Sequence, residues 1–346
     1  MRIGKIVKRI AAGLGITLLI LSIIYWDLAI YGIRQGTGQL NIVWNARPVQ
    51  EFLDDPGYPD SLKSKLQLIG KVRSYAIQQL GLNDTENYKT MYDQHGEEVL
   101  WVVTASQPFR LEAKEWKFPV LGAVPYKGFF RKDLAMEERD KLLQEGLDTS
   151  VRNPGAWSTL GWFTDPILSG MLERSDGDLA SLIIHEMVHA TIFVKDSVEF
   201  NENLASFIGD RGAEMFLKDT FGENSEAYTS FVTENVEYYA YVSHILRACS
   251  YLDAVYDSIA DLSLEQKRVR KEAAIRRVLT RADTLTFSAF QNPANRYKEN
   301  IPNNAYFLSF RRYQSRQDDF WELWRNRFQS DLLLMIEYMK ESHPFL

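Results

Sequence analysis

The chain has 346 residues, of which 45% are hydrophobic and 25% charged, and its formal net charge is −6. This composition is typical of a globular protein with a sizeable core and excludes a disordered chain. The acidic balance argues against nucleic-acid binding, which depends on clustered Lys and Arg side chains. The single cysteine, Cys249, excludes an intramolecular disulfide bond.

The N-terminal segment has the pattern of a membrane anchor. Residues 10–26 contain no charged side chain, and the run could continue past Asp27 to Tyr31. This length is at the short end of the roughly 17–25 residues of a spanning helix. Basic residues precede the run, so the N-terminus is expected on the cytoplasmic side. They are Arg2, Lys5, Lys8 and Arg9.

We therefore predict residues 1–31 as a single transmembrane anchor and residues 32–346 as one ectodomain. A cleaved signal peptide is one alternative, although the run has no evident small-x-small cleavage site. A buried core helix is the other. No cysteine lies directly after the apolar run, which excludes a lipoprotein.

The first half of the predicted ectodomain combines helices with a small sheet. Residues 61–80 have a helical apolar rhythm that Gly81 closes. Residues 99–105 form a β-branched and aromatic run that predicts a strand. Further strands are predicted within 109–118 and 121–130, giving a small mixed or antiparallel sheet. Residues 132–145 predict an exposed amphipathic helix.

The second half is predominantly helical. Residues 157–163 contain two tryptophans and predict either an edge strand or a packing segment. The later periodic segments predict helices over residues 179–190, 200–218, 226–257, 262–285 and 307–338. The segments 226–257 and 262–285 are expected to pack as a hairpin. The fold class is therefore α+β and mainly helical.

The predicted helix over 179–190 contains the motif His185-Glu186-x-x-His189. Residues four apart lie on one face of a helix, so both imidazoles can bind one metal ion. Glu186 can then reach the open position of that metal, as in the H-E-x-x-H pattern of zinc hydrolases. The alternative is a pair of core histidines that bond to backbone or carboxylate groups.

The next helix supplies a candidate third ligand, Glu202. Catalytic zinc keeps three protein ligands and one open position. The small residue Ala205 would let this helix approach the histidine helix closely. Glu199 and Asp210 are rival ligands, but Glu199 lacks a small residue at helical spacing and Asp210 lies two turns further on.

One Zn²⁺ ion in a His₂Glu site predicts hydrolysis of a carbonyl substrate. Zinc lowers the pKa of a bound water towards about 7, and Glu186 can accept its proton and pass it to a leaving amine. A further donor should stabilise the oxyanion. The candidates for this donor are Tyr126, Tyr306 and Tyr313.

Two segments are candidate substrate-binding elements. An edge strand can pair with an extended peptide backbone, which makes Ser158, Thr159 and Leu160 candidates. Asn303 and Asn304 could also bind substrate backbone. Alternatively, these asparagines cap a helix after Pro302.

With the metal motif, several segments carry a resemblance to a family of predicted bacterial zinc aminopeptidases. They are Gly38-Gln39-Leu40, Arg47-Pro48, Lys117-Phe118-Pro119-Val120, Tyr126-Lys127-Gly128-Phe129-Phe130, Ser158-Thr159-Leu160-Gly161-Trp162-Phe163, Phe200-Asn201-Glu202 and Asn303-Asn304-Ala305. The resemblance implies a gluzincin-like site in which His185, His189 and Glu202 bind zinc and Glu186 is catalytic. It also implies a zincin-like core with a small sheet before the metal helix and a helical C-terminal half.

Together these features predict a peptidase that acts on peptides outside the cytoplasm. The resemblance implies the bacterial inner membrane, with a cytoplasmic N-terminus and a periplasmic or otherwise extracytoplasmic catalytic domain. Endopeptidase activity stays open, because the predicted edge strand supplies no acid that would hold a free amine. The alternative function is a membrane-tethered binding or scaffold protein with a non-catalytic zinc site. The sequence gives no indication of the oligomeric state.

Overall fold

The computed structural model describes residues 25–118, 122–154, 164–289, 295, 297 and 300–343. The chain divides into two compact units after Asn45. Helix α1 (Trp26–Asn45) is the described part of the first unit. Within the described ranges, no helix is long and apolar enough to cross a membrane. The charge-free run 10–26 lies almost wholly outside those ranges, so the anchor over residues 1–31 stays a prediction.

Three small sheets lie in the second unit. The strands are β1 (Arg47–Pro48), β2 (Thr90–Tyr92), β3 (Trp101–Ser106), β4 (Trp116–Phe118), β5 (Gly122–Val124), β6 (Lys127–Phe129), β7 (Asp148–Arg152) and β8 (Ile167–Leu168). β2 pairs antiparallel with β1 and parallel with β8. β3 is the centre of the second sheet, with β6 and β7 antiparallel on its two sides. β4 and β5 form an antiparallel pair.

The central strand β3 follows directly from its sequence. It is buried from Val102 to Ser106, because a strand paired on both sides and covered by helices favours β-branched and small residues. Its edge partner β7 has the polar sequence Asp-Thr-Ser-Val-Arg, which gave no strand signal. The predicted small sheet is therefore confirmed around β3, while β7 and the β1-β2-β8 sheet were not predicted.

Helices make up most of the second unit, which confirms a mainly helical α+β fold. They are α2 (Val49–Asp54), α3 (Asp60–Gln78), α4 (Lys132–Gln144), α5 (Asp176–His189), α6 (Val198–Phe221), α7 (Glu226–Ser258), α8 (Leu264–Ala282), α9 (Asn304–Gln314), α10 (Gln317–Phe328) and α11 (Leu332–Ser342), with a short 3₁₀ helix at Ser169–Glu173. The predicted segment 307–338 is divided among α9, α10 and α11. The break before α11 contains Gln329 and Ser330, both with positive φ, a conformation that cannot continue a right-handed helix.

Helix α6 is the centre of the helical packing. It contacts α5, α7, α9, α10 and α11. α7 and α8 pack together as the predicted hairpin, and α9 adds Phe307 and Leu308 to their shared apolar core. α9 also packs against β3, β7 and α6, so it connects the sheet to the helix that carries Glu202.

Two glycines on α6 allow α5 to approach closely. A Cβ atom at Gly209 would lie 2.9 Å from the Ser181 carbonyl oxygen and 3.2 Å from the His185 Cβ. A Cβ atom at Gly212 would lie 3.1 Å from the Ile184 Cδ1. The absence of side chains at these two positions therefore sets the distance between the helices at the level of the first histidine.

Substituting Gly209→Ala should lower the free energy of unfolding and weaken metal binding, because the backbone carrying His185 must shift. Overpacking costs about 1–3 kcal/mol, which exceeds the roughly 0.5–1 kcal/mol that alanine gains over glycine inside a helix. Urea denaturation of the full-length protein measures the change. Gly70→Ala on α3 is the matched control, since no atom lies within 4 Å of its added Cβ, and it should be stabilising. Equal stability of the two variants would contradict this account.

Candidate metal centre

Helix α5 presents the two histidines because both of its ends are fixed. At its N-terminus the Ser175 hydroxyl accepts a hydrogen bond from the Asp178 N–H at 3.1 Å. Beyond its C-terminus the Thr191 hydroxyl donates to the Met187 carbonyl oxygen at 2.8 Å. Leu179 and Ile183 are fully buried, so the apolar face of the helix is held in the core.

His185, His189 and Glu202 form a compact group of possible metal ligands. The two Nε2 atoms lie 3.1 Å apart, and the Glu202 Oε2 lies 3.4 Å from the Nε2 of His185 and 3.5 Å from that of His189. Bonds of about 2.0–2.1 Å to a tetrahedral zinc ion place ligand atoms about 3.3 Å apart. The three separations therefore fit one metal ion in contact with all three side chains.

The charges of this group reinforce one another. Burial raises the pKa of Glu202, but the charges and hydrogen bonds of His189 and His185 outweigh this and hold it well below its usual range. Burial lowers the pKa of His189, but the Glu202 carboxylate outweighs this effect and the pKa is raised. The Glu202 carboxylate and a protonated His189 therefore stabilise each other.

Glu202 is held in place by the two asparagines that flank it. The Asn201 side chain accepts from the Val194 N–H at 2.9 Å and donates to the Val194 carbonyl at 2.8 Å, which ties α6 to the loop after α5. The Asn203 side chain donates to the Arg312 carbonyl at 2.6 Å and accepts from the Arg316 N–H at 2.9 Å. The carboxylate is therefore oriented by contacts on both sides of it.

Glu186 lies on α5 directly after the first histidine and is 9% exposed. Its Oε2 atom is buried and has no hydrogen-bond partner among the described residues. Burial, together with the charge of Glu186, raises the pKa of Tyr88 well above its usual value. A buried carboxylate oxygen without a partner, beside a possible metal site, can accept a proton from a water molecule there.

The rival ligands are engaged elsewhere. The Glu199 Oε1 accepts from the Ser315 hydroxyl at 3.1 Å. Asp210 accepts from the Ser181 hydroxyl at 2.7 Å and from the Tyr239 hydroxyl at 2.5 Å, so its carboxylate connects α5, α6 and α7. Of the three acids considered from the sequence, Glu202 is the one grouped with the histidines.

The three candidate oxyanion donors occupy different surroundings. Burial, followed by the negative charge of Glu202, raises the pKa of both Tyr126 and Tyr313, so both phenols feel the charge of the proposed ligand. The Tyr306 hydroxyl instead hydrogen-bonds to the Tyr241 hydroxyl at 2.6 Å, within the core of α7 and α9. Tyr126 and Tyr313 therefore remain candidates, and the structure does not bring Tyr306 to the group.

The asparagines after Pro302 support the fold at the start of α9. The Asn303 side chain accepts from the Ala305 N–H at 3.0 Å, the helix-cap arrangement considered from the sequence. Asn304 is fully buried and donates to the Gln107 carbonyl at 2.9 Å. Both side chains are thus committed to local structure. Ser158, Thr159 and Leu160 lie outside the described residues.

Residues 30–341 match the model of a family described as "Putative aminopeptidase". The chain belongs to this family. The match includes the whole histidine and glutamate group, and it supports a peptidase activity. No curated protein and no solved structure matches the chain.

Two arginines lie beside Tyr126 and Tyr313 and were not predicted from the sequence of this aminopeptidase-family protein. The Arg152 Nη2 donates to the Tyr313 hydroxyl at 3.1 Å, and the Arg312 guanidinium lies 5.9 Å from the centre of the Tyr126 ring. Arg152 is in the unpredicted strand β7, and Arg312 is one of many basic residues in a helical segment. One sequence feature could have pointed to Arg312. It directly precedes the candidate donor Tyr313, in the segment that follows Asn303 and Asn304.

Zn²⁺ affinity should fall as the pH is lowered, because protons and metal compete for the same nitrogen. Folding raises the pKa of His189, so competition begins at a higher pH than for an ordinary histidine. Below that pKa the affinity should drop about tenfold per pH unit for each proton displaced. Competition titration with a chelator between pH 5 and 8 measures this.

Glu202→Gln should weaken Zn²⁺ binding and move its pH dependence to lower pH, because the carboxylate that raises the pKa of His189 is lost. Glu199→Gln is the matched control, since it changes a glutamate one turn earlier on α6 that does not face the histidines. It should keep the original profile. Affinity that does not change over this pH range would contradict the assignment of His189 as a ligand.

Proposed function

We propose that this protein is a membrane-anchored, zinc-dependent aminopeptidase that hydrolyses peptide bonds outside the cytoplasm. The observation that carries the proposal is the grouping of three ligand atoms, spaced 3.1–3.5 Å apart, beside the unpartnered carboxylate of Glu186. Membership of an aminopeptidase family supports a peptide substrate. Two imidazole nitrogens and one carboxylate oxygen are a ligand set typical of catalytic zinc.

His185, His189 and Glu202 would hold one zinc ion, and Glu186 would act on the water molecule that this ion binds. When bound, zinc supplies a water molecule of lowered pKa and polarises the substrate carbonyl. Glu186 would accept a proton from the attacking water molecule as the water oxygen bonds to the carbonyl carbon. The same carboxyl then delivers the proton to the amide nitrogen as the C–N bond breaks, giving one carboxylate and one amine product.

The tyrosines near Glu202 provide the donor that this reaction needs. Tyr126 and Tyr313 have raised pKa values, so both phenols stay protonated at neutral pH and can donate a hydrogen bond to the developing oxyanion. Tyr306 is not part of this proposal, because its hydroxyl is bonded to Tyr241. Ser158, Thr159 and Leu160, which the sequence predicts in an edge strand or a packing segment, are proposed to contact the substrate backbone.

Glu186→Gln should lower kcat for peptide hydrolysis by about 10²–10⁴-fold and leave the zinc content unchanged, because it removes the proton acceptor and keeps all three ligands. The assay is digestion of a peptide library by the full-length protein, with metal analysis of the same sample. Progressive loss of N-terminal residues is expected, and internal cleavage would indicate an endopeptidase. The control Glu199→Gln should retain activity.

Full activity of Glu186→Gln, or wild-type protein without stoichiometric zinc, would contradict the proposed mechanism. Bound zinc with no turnover of any library peptide in the wild-type protein would instead support the membrane-tethered binding or scaffold function.

The proposed location is the bacterial inner membrane. The support is the charge-free run over residues 10–26 and the basic residues before it, which favour a cytoplasmic N-terminus. A reporter active only outside the cytoplasm should be active when fused after residue 346. A reporter active only in the cytoplasm, fused at the same position, should be silent. The opposite pattern would contradict this topology.

A further inference from the structure

Two arginines form a cationic pair with the tyrosines beside the metal centre. The Arg152 Nη2 donates to the Tyr313 hydroxyl at 3.1 Å, and the guanidinium lies 5.5 Å from the centre of that ring. The Arg312 Nη2 donates to the Pro125 carbonyl at 3.3 Å, and its guanidinium lies over the ring of Tyr126. We call these four side chains the arginine-tyrosine cluster.

The arginine-tyrosine cluster adjoins a proposed metal ligand. The backbone carbonyl of Arg312 accepts a hydrogen bond from the side chain of Asn203, the residue directly after Glu202. The charge of Glu202 also contributes to the raised pKa values of Tyr126 and Tyr313, after the larger effect of burial. Glu202 also acts on the charge of Arg312, and Arg152 is bonded to Tyr313, so the arginine-tyrosine cluster lies within electrostatic reach of this proposed ligand.

The arginine-tyrosine cluster carries the positive charges of two guanidinium groups. Among the described residues, neither Arg152 nor Arg312 forms an ion pair, and the Arg312 Nη1 is buried without a hydrogen-bond partner. Arg312 is 8% exposed, whereas Arg152 is exposed to solvent. Residues 155–163, outside the described part, contain no Asp or Glu that could pair with them.

A buried guanidinium without a partner is costly, because it has lost its hydration and gained no anion in return. Burial lowers the pKa of Arg312, and repulsion from Arg152 lowers it further. The charge of Glu202 relieves part of this cost, but Glu202 forms its ion pairs with His185 and His189 and none with Arg312. The site thus lacks one anion, and that anion can enter from the solvent side of Arg152.

We propose that Arg152 and Arg312 bind a carboxylate of the substrate close to the scissile bond. Guanidinium groups recognise a carboxylate through paired N–H donors, which suits them to this role better than an ammonium. The proposal rests on the proposed peptidase activity and narrows its substrates to peptides with an anionic group there. That group is either the C-terminal carboxylate of a dipeptide or an acidic side chain next to the cleaved bond.

Equilibrium binding tests the assignment without turnover. Calorimetry with zinc-loaded, full-length Glu186→Gln protein compares alanyl-alanine with its C-terminal amide, and alanyl-aspartate amide with alanyl-asparagine amide. A hydrogen-bonded charge pair contributes about tenfold to a hundredfold to the affinity. If the C-terminal carboxylate is recognised, alanyl-alanine should bind more tightly than its amide. If an acidic side chain is recognised, alanyl-aspartate amide should bind more tightly than alanyl-asparagine amide.

The metal ion can itself bind a carboxylate. Variants of Arg152 therefore test whether the preference for the acid comes from the arginines or from the metal. Adding Arg152→Gln to the Glu186→Gln protein should reduce the preference for the acid to about one, and Arg152→Lys should retain only part of it. Arg276→Gln, on an exposed arginine of α8 paired with Glu272, is the matched control for lost charge and should retain the full preference.

Equal binding of acid and amide in both comparisons, or no peptide binding at all, would overturn the proposal. A preference that survives Arg152→Gln would also overturn it, because the carboxylate would then be bound elsewhere. A different result would contradict the proposed function alone. In that case the wild-type protein would bind the acids selectively through Arg152 but hydrolyse none of them.

Discussion

Where α5 crosses α6, the position of Gly209 leaves no room for even one methyl group. The added carbon would come within 2.9 Å of a carbonyl oxygen on the opposite helix. Glycine in a helix costs about 1 kcal/mol relative to alanine, and the chain accepts this cost at the level of His185. Because the two backbones approach so closely, a short glutamate side chain from α6 reaches both imidazoles of α5. A longer distance between the helices would leave three separate polar side chains and no site.

Polar residues that do not face the metal position complete this arrangement. Asn201 and Asn203 hold the backbone on either side of Glu202, and Asp210 accepts hydrogen bonds from α5 and α7 at the opposite end of the same contact. These groups are satisfied, whereas one oxygen of Glu186 and one nitrogen of Arg312 are not. Buried polar atoms are normally paired, so the unpaired atoms of Glu186 and Arg312 can each form a hydrogen bond with water or substrate.

The sequence predicted the parts of the protein that depend on local pattern. The histidine helix, Glu202 on the following helix and the α7-α8 hairpin follow from apolar periodicity, capping residues and the i, i+4 spacing of ligands. The strands of two or three residues, and the polar β7, could not be predicted, because their stability comes from pairing partners distant in the chain. The residue types of Asn304 and Tyr306 do not show whether these side chains bind substrate or pack in the core. Only the tertiary contacts of Gln107 and Tyr241 show the second role.

The bonds of Asn203 connect the two sides of the proposed active site. This amide links the backbone next to Glu202 to the carbonyl of Arg312, and Arg312 itself belongs to the arginine-tyrosine cluster. A movement of α9 that adjusts the guanidinium to a ligand must therefore also act on the carboxylate at the metal position. Linkage makes such an effect reciprocal, so occupancy of one position would change the affinity of the other by the same factor. The binding of the metal and the binding of the anion would then be thermodynamically coupled through the contact between α6 and α9.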